Sequence, residues 1–483
     1  MQYGGMIRIL GLFLMAFSLT MLPPLGVAAF YKDGAWMAFS WSFLLTLAAG
    51  FLLWFPVRGH APPLKIREGF FIIVLFWSVL TFFGSLPFML TFIPHLSFTD
   101  AAFETMSGLT TTGATVLTDI DYLPHAIKLY HQQLQFFGGM AILVLAVAIL
   151  PMLKVGGLQL YRRETPGPAK DTQLTPRIMQ TAKALWYIYV GLTLLCFLAY
   201  WACGMKLFDA VGEAFSTVST GGFSMHNDNF AHYHGHLIGS VAMIFMILGS
   251  TNFSLHFLAL REKSLKHYFY DAEFRTFLLF LFLSACLTIL TLLIAQVYEE
   301  PRTGIYKAIF NAVSIGTSTG FLSASFQSWP LFISVLFMLA GIVGGCAAST
   351  SGGIKVIRAL ILYGQGKREL KRLIHPHAVL PLTLNSRVLS DSLTQSVWGY
   401  VAVFFSVFIL LVLILMGEGL PFDGAVGAVV ACLANLGVGM GGVSDNFVSL
   451  NDSTKWVLTF SMLGGRLEIF TLLLLFTPAF WKK

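Results

Sequence analysis

The sequence predicts an all-α polytopic membrane protein in which four pseudo-symmetric repeats surround one pore, preceded by two extra transmembrane helices. Each repeat is expected to be an M1 helix, a re-entrant pore loop and an M2 helix. Three observations carry this expectation. Of 483 residues, 56% are hydrophobic and only 11% charged, against roughly 25% charged in soluble domains. Apolar runs long enough to span a bilayer of roughly 30 Å recur along the chain. Between them a short segment rich in Gly, Thr and Ser returns at long intervals, as an internal repeat does.

The repeated segment is clearest in Ala102-Phe103-Glu104-Thr105-Met106-Ser107-Gly108-Leu109-Thr110-Thr111-Thr112-Gly113. Its second copy ends in Ser219-Thr220-Gly221-Gly222 and its third in Thr317-Ser318-Thr319-Gly320. Phe103 and Phe310 stand ten residues before their glycines, and Asp100 and Asp209 thirteen before theirs. The fourth copy, from Asp423 to Asn435-Leu436-Gly437-Val438-Gly439, is the most diverged. It is aligned on Gly437, which keeps a polar residue two positions earlier, as at Thr111, Thr220 and Ser318; Gly439 does not. The four glycines are then 109, 98 and 117 residues apart, room for two spanning helices and a loop in each interval.

In chain order, a span from Ile9 to Phe30 is too long for a signal peptide and is expected to be a retained helix. A second, Trp36 to Phe55, ends at Pro56. The repeats follow, with paired spans at Gly69–Phe92 and Leu134–Leu153, Leu185–Cys203 and Leu237–Leu260, Phe274–Val297 and Leu331–Tyr363, and Ser396–Met416 and Trp456–Phe480. The domains are drawn at 1-68 for the leading helices, then 69-165, 166-265, 266-385 and 386-483 for the repeats. Each loop between paired spans is too short to cross, so it enters and leaves on one side, which requires protein or water around it.

Of the 30 Lys and Arg residues, 23 fall on the side of the inter-repeat linkers and both termini. By the positive-inside rule that side is cytoplasmic, and ten crossings bring both termini to it. The formal net charge of +7 therefore serves orientation and anionic lipid rather than nucleic acid. Cys196, Cys203, Cys286, Cys346 and Cys432 are scattered without metal spacing and read as buried thiols.

Four loops of this composition can replace the hydration shell of an ion. Backbone carbonyls turned to a common axis supply the oxygens, and glycine gives the backbone room there. The candidate residues are Thr111, Thr112 and Gly113; Thr220, Gly221 and Gly222; Ser318, Thr319 and Gly320; and Asn435, Leu436 and Gly437. Glu104 and Glu213 lie in the preceding helical runs, where a bare charge costs about 2.5–3.5 kcal/mol. They either anchor loop backbone amides or face an outer vestibule.

Four M1–loop–M2 repeats with Thr-Thr-Gly113, Thr-Gly-Gly222, Ser-Thr-Gly320 and Asn-Leu-Gly437 resemble the Trk/Ktr/HKT superfamily of cation transporters. The two leading helices match its TrkH-type branch. The resemblance covers roughly residues 69–483, and Val438 departs from the proline that the family often carries. It implies K⁺ uptake across a bacterial inner membrane through a selectivity filter, with K⁺ the transported ion. It also implies a homodimer, and a cytosolic ring of TrkA type that carries the regulatory nucleotide, so no cofactor is bound covalently to this chain.

Gly345, Cys346, Ala347, Ala348, Ser349, Thr350, Ser351, Gly352 and Gly353 interrupt the third M2 helix, since so many glycines and hydroxyls disfavour a continuous span. No Gly-Lys-Ser/Thr phosphate loop is present, because Lys355 precedes Val356. By resemblance the segment is an intramembrane gate; by composition alone it is also a kinked helix. Arg466, deep in the last span, has no local partner, because Glu468 two residues on faces away on a helix. The resemblance places such an arginine in the pore as a barrier. The alternative is an ion pair with a neighbouring helix.

His232, His234 and His236 alternate as an exposed loop does, without a carboxylate or cysteine to complete a metal set. No hydrolase signature appears, which leaves an intramembrane enzyme without a catalytic constellation. An H⁺- or Na⁺-coupled potassium symporter is the alternative to a conducting pore. Few carboxylates lie within the spans to serve as its relay.

Overall fold

The computed structural model describes residues 3–59, 66–148, 174–233, 235–385 and 387–482. Over these the regular structure is helical except for one antiparallel hairpin, Thr383–Leu384 with Arg387–Val388. Lys65, Lys154, Arg162, Arg163, Lys170, His234 and Lys483, the end of the first M2 span at 149–153 and the boundary at 165/166 lie outside the described residues.

The M1 helices and the leading helices behave as the sequence predicts. Ile66–Gly84, Leu174–Ala202, Ala272–Ile294 and Asp391–Gly417 are unbroken. Together with Tyr3–Tyr31 and Trp36–Val57 they contribute the six helices among the described residues that are long and apolar enough to cross a membrane. Their outer faces carry large apolar side chains, with Phe282 64% exposed and Leu413 60% exposed. Such a continuous apolar surface suits lipid rather than water. The two leading helices cross closely because both contacts are glycine: a Cβ on Gly11 would stand 2.7 Å from the carbonyl oxygen of Gly50.

Two of the M2 helices depart from the expected unbroken spans, and that of the third repeat is broken where expected. In the second repeat, His236–Ser250 and Phe253–Glu262 meet at 96°. The break is fixed by Asn252, whose Oδ1 caps Ser254 N at 2.8 Å. In the third, Leu331–Val343 stops and Val356–Ile374 begins after the loop. In the fourth, Asp452–Arg466 is followed by Phe470–Leu475, with Glu468 and Ile469 at φ 58° and 38° between them. The first M2 helix starts at His125, nine residues ahead of its expected position, and its opening turns hold Lys128, His131, Gln132, Gln133 and Gln135. The M1 helices and the first M2 helix, His125–Ala148, are thus whole, the third M2 helix is broken at the expected segment, and the second and fourth are broken where continuous spans were expected.

The pore helices are Phe98–Leu109, Leu207–Ser219, Pro301–Gly316 and Phe422–Leu433. At 12 residues the first is about 18 Å long, too short to span. Asp100, Asp209 and Asp423 each sit in a first turn, where a carboxylate complements the helix dipole. Asp100 also binds Lys455 Nζ at 2.7 Å, which ties the first repeat to the fourth. The boundary drawn at 385/386 falls within the hairpin turn. Cys196, Cys346 and Cys432 are buried, but Cys286 is exposed and Cys203 half-buried, so those two do not fit the reading of all five as buried thiols.

Candidate ion pathway

Each pore helix ends in the same backbone device. The N–H groups of Thr112, Gly221, Thr319 and Leu436 bond back to the carbonyls of Ser107, Ser216, Ser314 and Ala431 at 2.8–2.9 Å. Those of Thr111, Thr220, Ser318 and Asn435 bond to Gly108, Thr217, Ile315 and Cys432 at 2.9–3.3 Å. This is a Schellman closure, which needs a left-handed residue after the helix. Thr111, Thr220, Ser318 and Asn435 take that place at φ 51–53°. Glycine normally occupies it, and a side chain there costs roughly 1–2 kcal/mol. Two residues on, Gly113, Gly222, Gly320 and Gly437 are again left-handed at φ 81–87°.

These glycines form a closed cycle with the carbonyls beside them. A Cβ added to Gly113 would lie 2.2 Å from the oxygen of Gly221, and one on Gly222 2.2 Å from that of Thr319. One on Gly320 would lie 2.4 Å from Leu436 O, and one on Gly437 2.3 Å from Thr112 O, which returns to the first repeat. Gly437 therefore takes the fourth place in the cycle, whereas Gly439 faces Val443 O. The cycle is not fourfold in its surroundings. Gln135 Nε2 donates to Gly221 O at 2.7 Å, and Asn435 Nδ2 reaches Thr112 Oγ1 at 2.9 Å.

Side chains from the pore helices fix the strand that leaves each glycine. Glu104 accepts Val116 N at 2.8 Å and Thr115 Oγ1 at 2.7 Å. Glu213 accepts Met225 N at 2.9 Å and Ser224 Oγ at 2.8 Å. Of the two readings from sequence, the anchoring of backbone amides describes both residues. Asn311, absent from that reading, does the same for Ser323 N at 3.0 Å and also donates to Ala324 O at 2.9 Å. Its signal was spacing: Glu104, Glu213 and Asn311 each stand nine residues before their glycine. In the fourth repeat Ala428 holds that position and offers no polar group, and the residue before it is glycine. A Cβ on Gly427 would lie 2.3 Å from Met440 N, so helix and strand meet directly.

On the far side of the glycines a cavity of about 400 Å³ opens, lined by Gly113, Gly222, Gly320 and Gly437 and by Asp228 and Asp445. His226 stands on its wall between Asp121, 2.7 Å from Nδ1, and Asp209, 3.4 Å from Nε2, and stacks on His232 at 3.6 Å. Among the described residues no group of three or more His, Cys, Asp or Glu could hold a metal.

The 345–353 segment, buried from Gly345 to Gly352, packs against the loops. It touches three of the four loops. Ser351 Oγ meets Ser318 Oγ at 2.7 Å and Thr317 O at 2.8 Å. Thr350 Oγ1 donates to Val218 O at 3.0 Å and lies 3.2 Å from Thr220 Oγ1, and Gly353 N donates to Ala434 O at 2.9 Å. Lys355 Nζ folds back onto Ser351 O. The broken second M2 helix supplies further partners, with Cys346 N on Ser250 O and Phe253 N on Ala348 O.

Arg466 reaches this segment from the last M2 helix. It is 4% exposed, and its Nη1 donates to Thr350 O at 2.9 Å while Nε and Nη2 are buried without partners. No carboxylate pairs with it among the described residues. Glu468 instead binds Arg358 at 2.6 Å, and Arg358 also lies 4.0 Å from the Tyr400 ring.

Re-entrant loops closed into a ring of carbonyls, within four helix pairs that expose apolar faces, define a membrane cation-transport protein rather than an enzyme. A family model described as a cation transport protein, TrkH, matches residues 35–483, and the chain belongs to this TrkH family. It is similar to the Trk system potassium uptake protein TrkH of Salmonella typhimurium, 49% identical over 100% of both chains. The Trk system potassium uptake protein TrkG of Escherichia coli is 37% identical, over 98% of this chain and 97% of the relative. The crystal structure of the potassium transporter TrkH from Vibrio parahaemolyticus matches with a TM-score of 0.93 at 46% identity, covering 100% of each chain.

Proposed function

We propose that the chain takes up K⁺ across a bacterial inner membrane through a selectivity filter formed by Thr111–Gly113, Thr220–Gly222, Ser318–Gly320 and Asn435–Gly437. The observation that carries this reading is the closed cycle in which each glycine packs on the carbonyl oxygen of the next loop. Stripped of water, K⁺ is coordinated by such carbonyls, and the left-handed residues hold them in place beforehand. The names of the relatives, potassium uptake proteins, support the choice of ion.

Below the filter, the 345–353 segment acts as the gate and Arg466 as an electrostatic barrier. The filters face outward and the termini inward, the chain pairs as a homodimer, and a TrkA-type nucleotide-binding ring docks on the basic inner face. The basic distribution supports this orientation, with 23 of 30 Lys and Arg on one side. Passive conduction is favoured over coupling to H⁺ or Na⁺, because the carboxylates buried beside the loops and the 345–353 segment, Glu104, Glu213 and Glu273, are each bonded to a backbone N–H. Bi-ionic potentials in liposomes test the reading: K⁺ and Rb⁺ permeate better than Na⁺ and Li⁺ without any H⁺ or Na⁺ gradient. Equal permeabilities refute the filter, and a strict need for such a gradient refutes passive conduction.

A further inference from the structure

The segment 345–353 is held from one side by a carboxylate that plays no part in the ring. Glu273, in the first turn of the helix Ala272–Ile294, is buried, and its Oε1 accepts the N–H of Ala347 at 2.6 Å. That first turn is itself fixed from outside. Asp271 Oδ1 caps Phe274 N at 2.8 Å, its Oδ2 accepts Asn385 Nδ2 at 3.0 Å, and Ala272 N donates to Asn385 Oδ1 at 2.8 Å. Asn385 is the left-handed turn residue of the hairpin, at φ 48°, a conformation that asparagine tolerates better than other side chains. Apolar packing runs in parallel with these bonds. The hairpin leucines Leu382, Leu384 and Leu389 share one buried cluster with Ala347 and with Ile357 and Ile361 of the helix that leaves the segment.

We propose that Glu273 is a positioning residue that holds the gating segment in its obstructing arrangement, and that the hairpin 383–388 controls this hold through Asn385. The inference rests on the gate reading above and assigns it a handle. A soluble partner that shifts the hairpin pulls on the helix start at Asp271 and Ala272, turns the Glu273 carboxylate and releases Ala347. Such a contiguous chain of bonds and packed side chains, with an element free to take two arrangements at its end, is the physical requirement for coupling. Loss of a buried acceptor leaves the Ala347 N–H unsatisfied, which costs more than a solvent-exposed bond would.

The test measures ⁸⁶Rb⁺ flux through the full-length protein in liposomes without any soluble partner. Deleting 345–353 raises flux if the segment is a gate. Glu273→Ala then raises it about fivefold, the value of one hydrogen bond of about 1 kcal/mol. Glu273→Gln, which keeps a carbonyl acceptor at the same reach, stays within about threefold of the parent. Asn385→Ala raises flux as well, and the double variant Asn385→Ala/Glu273→Ala exceeds Glu273→Ala by less than additivity requires. The ratio of K⁺ to Na⁺ permeability stays constant throughout. A deletion that opens the pore while Glu273→Ala does not overturns the role of Glu273 and leaves the gate standing, and so does failure of Gln to rescue. Additive effects overturn the relay. Should Glu273→Ala not fold, the exposed Asn385 decides alone, and unchanged flux in Asn385→Ala overturns the proposal. A deletion without effect overturns both readings.

Discussion

Glu104 Oε2 accepts the backbone N–H of Val116 at 2.8 Å, across twelve residues of chain that contain the left-handed turn and the glycine of the first loop. The same carboxylate binds His131 at 2.5 Å, whose ring stacks on Phe223 of the second loop at 3.5 Å. One side chain thus ties a pore helix, the strand leaving its loop, an M2 helix and the neighbouring repeat. In the third repeat an amide serves the same place, with Asn311 Oδ1 accepting Ser323 N and Nδ2 donating to Ala324 O. What the three clamps share is therefore not charge but an acceptor at that reach.

The contrast between the two clamps gives a prediction. Glu104→Gln keeps an acceptor for Val116 and folds with K⁺ over Na⁺ discrimination near the parent value. Asn311→Asp turns the donor facing Ala324 O into a second acceptor and buries a charge, at a cost of about 1–3 kcal/mol. Thermal unfolding in detergent, read beside bi-ionic potentials, should find Asn311→Asp the worse of the two in both measures. Equal behaviour of the variants would show that the clamps do not act through these bonds.

The glycine cycle sets a second expectation. At Gly113 the added Cβ of serine would stand 2.2 Å from Gly221 O, and the backbone is at φ 86°. Backbone on both sides of that contact cannot yield as a flexible side chain does, so the carbonyl is displaced. Gly113→Ser should lower the K⁺ to Na⁺ permeability ratio, and Gly437→Ser should do the same through Thr112 O. Gly439→Ser meets Val443 rather than a ring carbonyl and should spare selectivity. Loss of selectivity at Gly439 but not at Gly437 would reverse the assignment of the fourth loop.

Much of this architecture was legible in the chain because its signals are local. Gly113, Gly222, Gly320 and Gly437 follow a polar residue two positions earlier, and that pattern is the left-handed cap together with the left-handed glycine. Span length and composition gave the M1 helices for the same reason. The break in the third M2 helix was legible in its glycines and hydroxyls, but those in the second and fourth were hidden, because hydropathy averages over Asn252 and over Glu468 and Ile469, whose effect is in backbone direction rather than polarity. Partners far apart in sequence were hidden too. Nothing local links Glu468 to Arg358, 110 residues away, or Asn385 to Ala272, 113 residues away.

Outside the membrane, His226 provides a pH-dependent prediction. Burial disfavours its charged form, but the bonds to Asp209 and Asp121 outweigh this and leave its pKa raised. Burial likewise raises Asp121, and its bond to His226 prevails and lowers it. Tyr233, Asp228, Glu213 and Lys128 complete the charged and titratable surroundings, with His232 stacked on the ring. A raised histidine contributes stability fully present below its unfolded pKa of about 6.5 and lost as pH rises through the folded value. A lowered aspartate contributes above about 3.9 and loses it on acidification through its folded value. The stability difference between the parent and His226→Gln should accordingly be largest between about pH 4 and 6.5 and shrink toward alkaline pH. A gap that widens as pH rises to 9 or so would contradict the ion pair as its source.

Arg466 combines a charge with a tether, and the two can be separated. A fixed positive charge about 8 Å from a monovalent cation in a medium of effective dielectric about 20 repels it by roughly 2 kcal/mol, which slows passage about thirtyfold at most. A membrane potential of about 100 mV supplies about 2.3 kcal/mol per charge moved across the whole field, so such a barrier limits flux without abolishing it. Arg466 also donates from Nη1 to Thr350 O, within the segment that meets three of the loops. Arg466→Ala removes both functions and should raise ⁸⁶Rb⁺ flux, whereas Arg466→Lys keeps the charge and should raise it less. Permeability ratios among monovalent cations should stay near the parent values in both, because the charge acts on all of them alike and the proposed filter assigns discrimination to the loop carbonyls. Reduced flux and a low yield of folded protein in Arg466→Ala would instead assign Arg466 to holding the helices together.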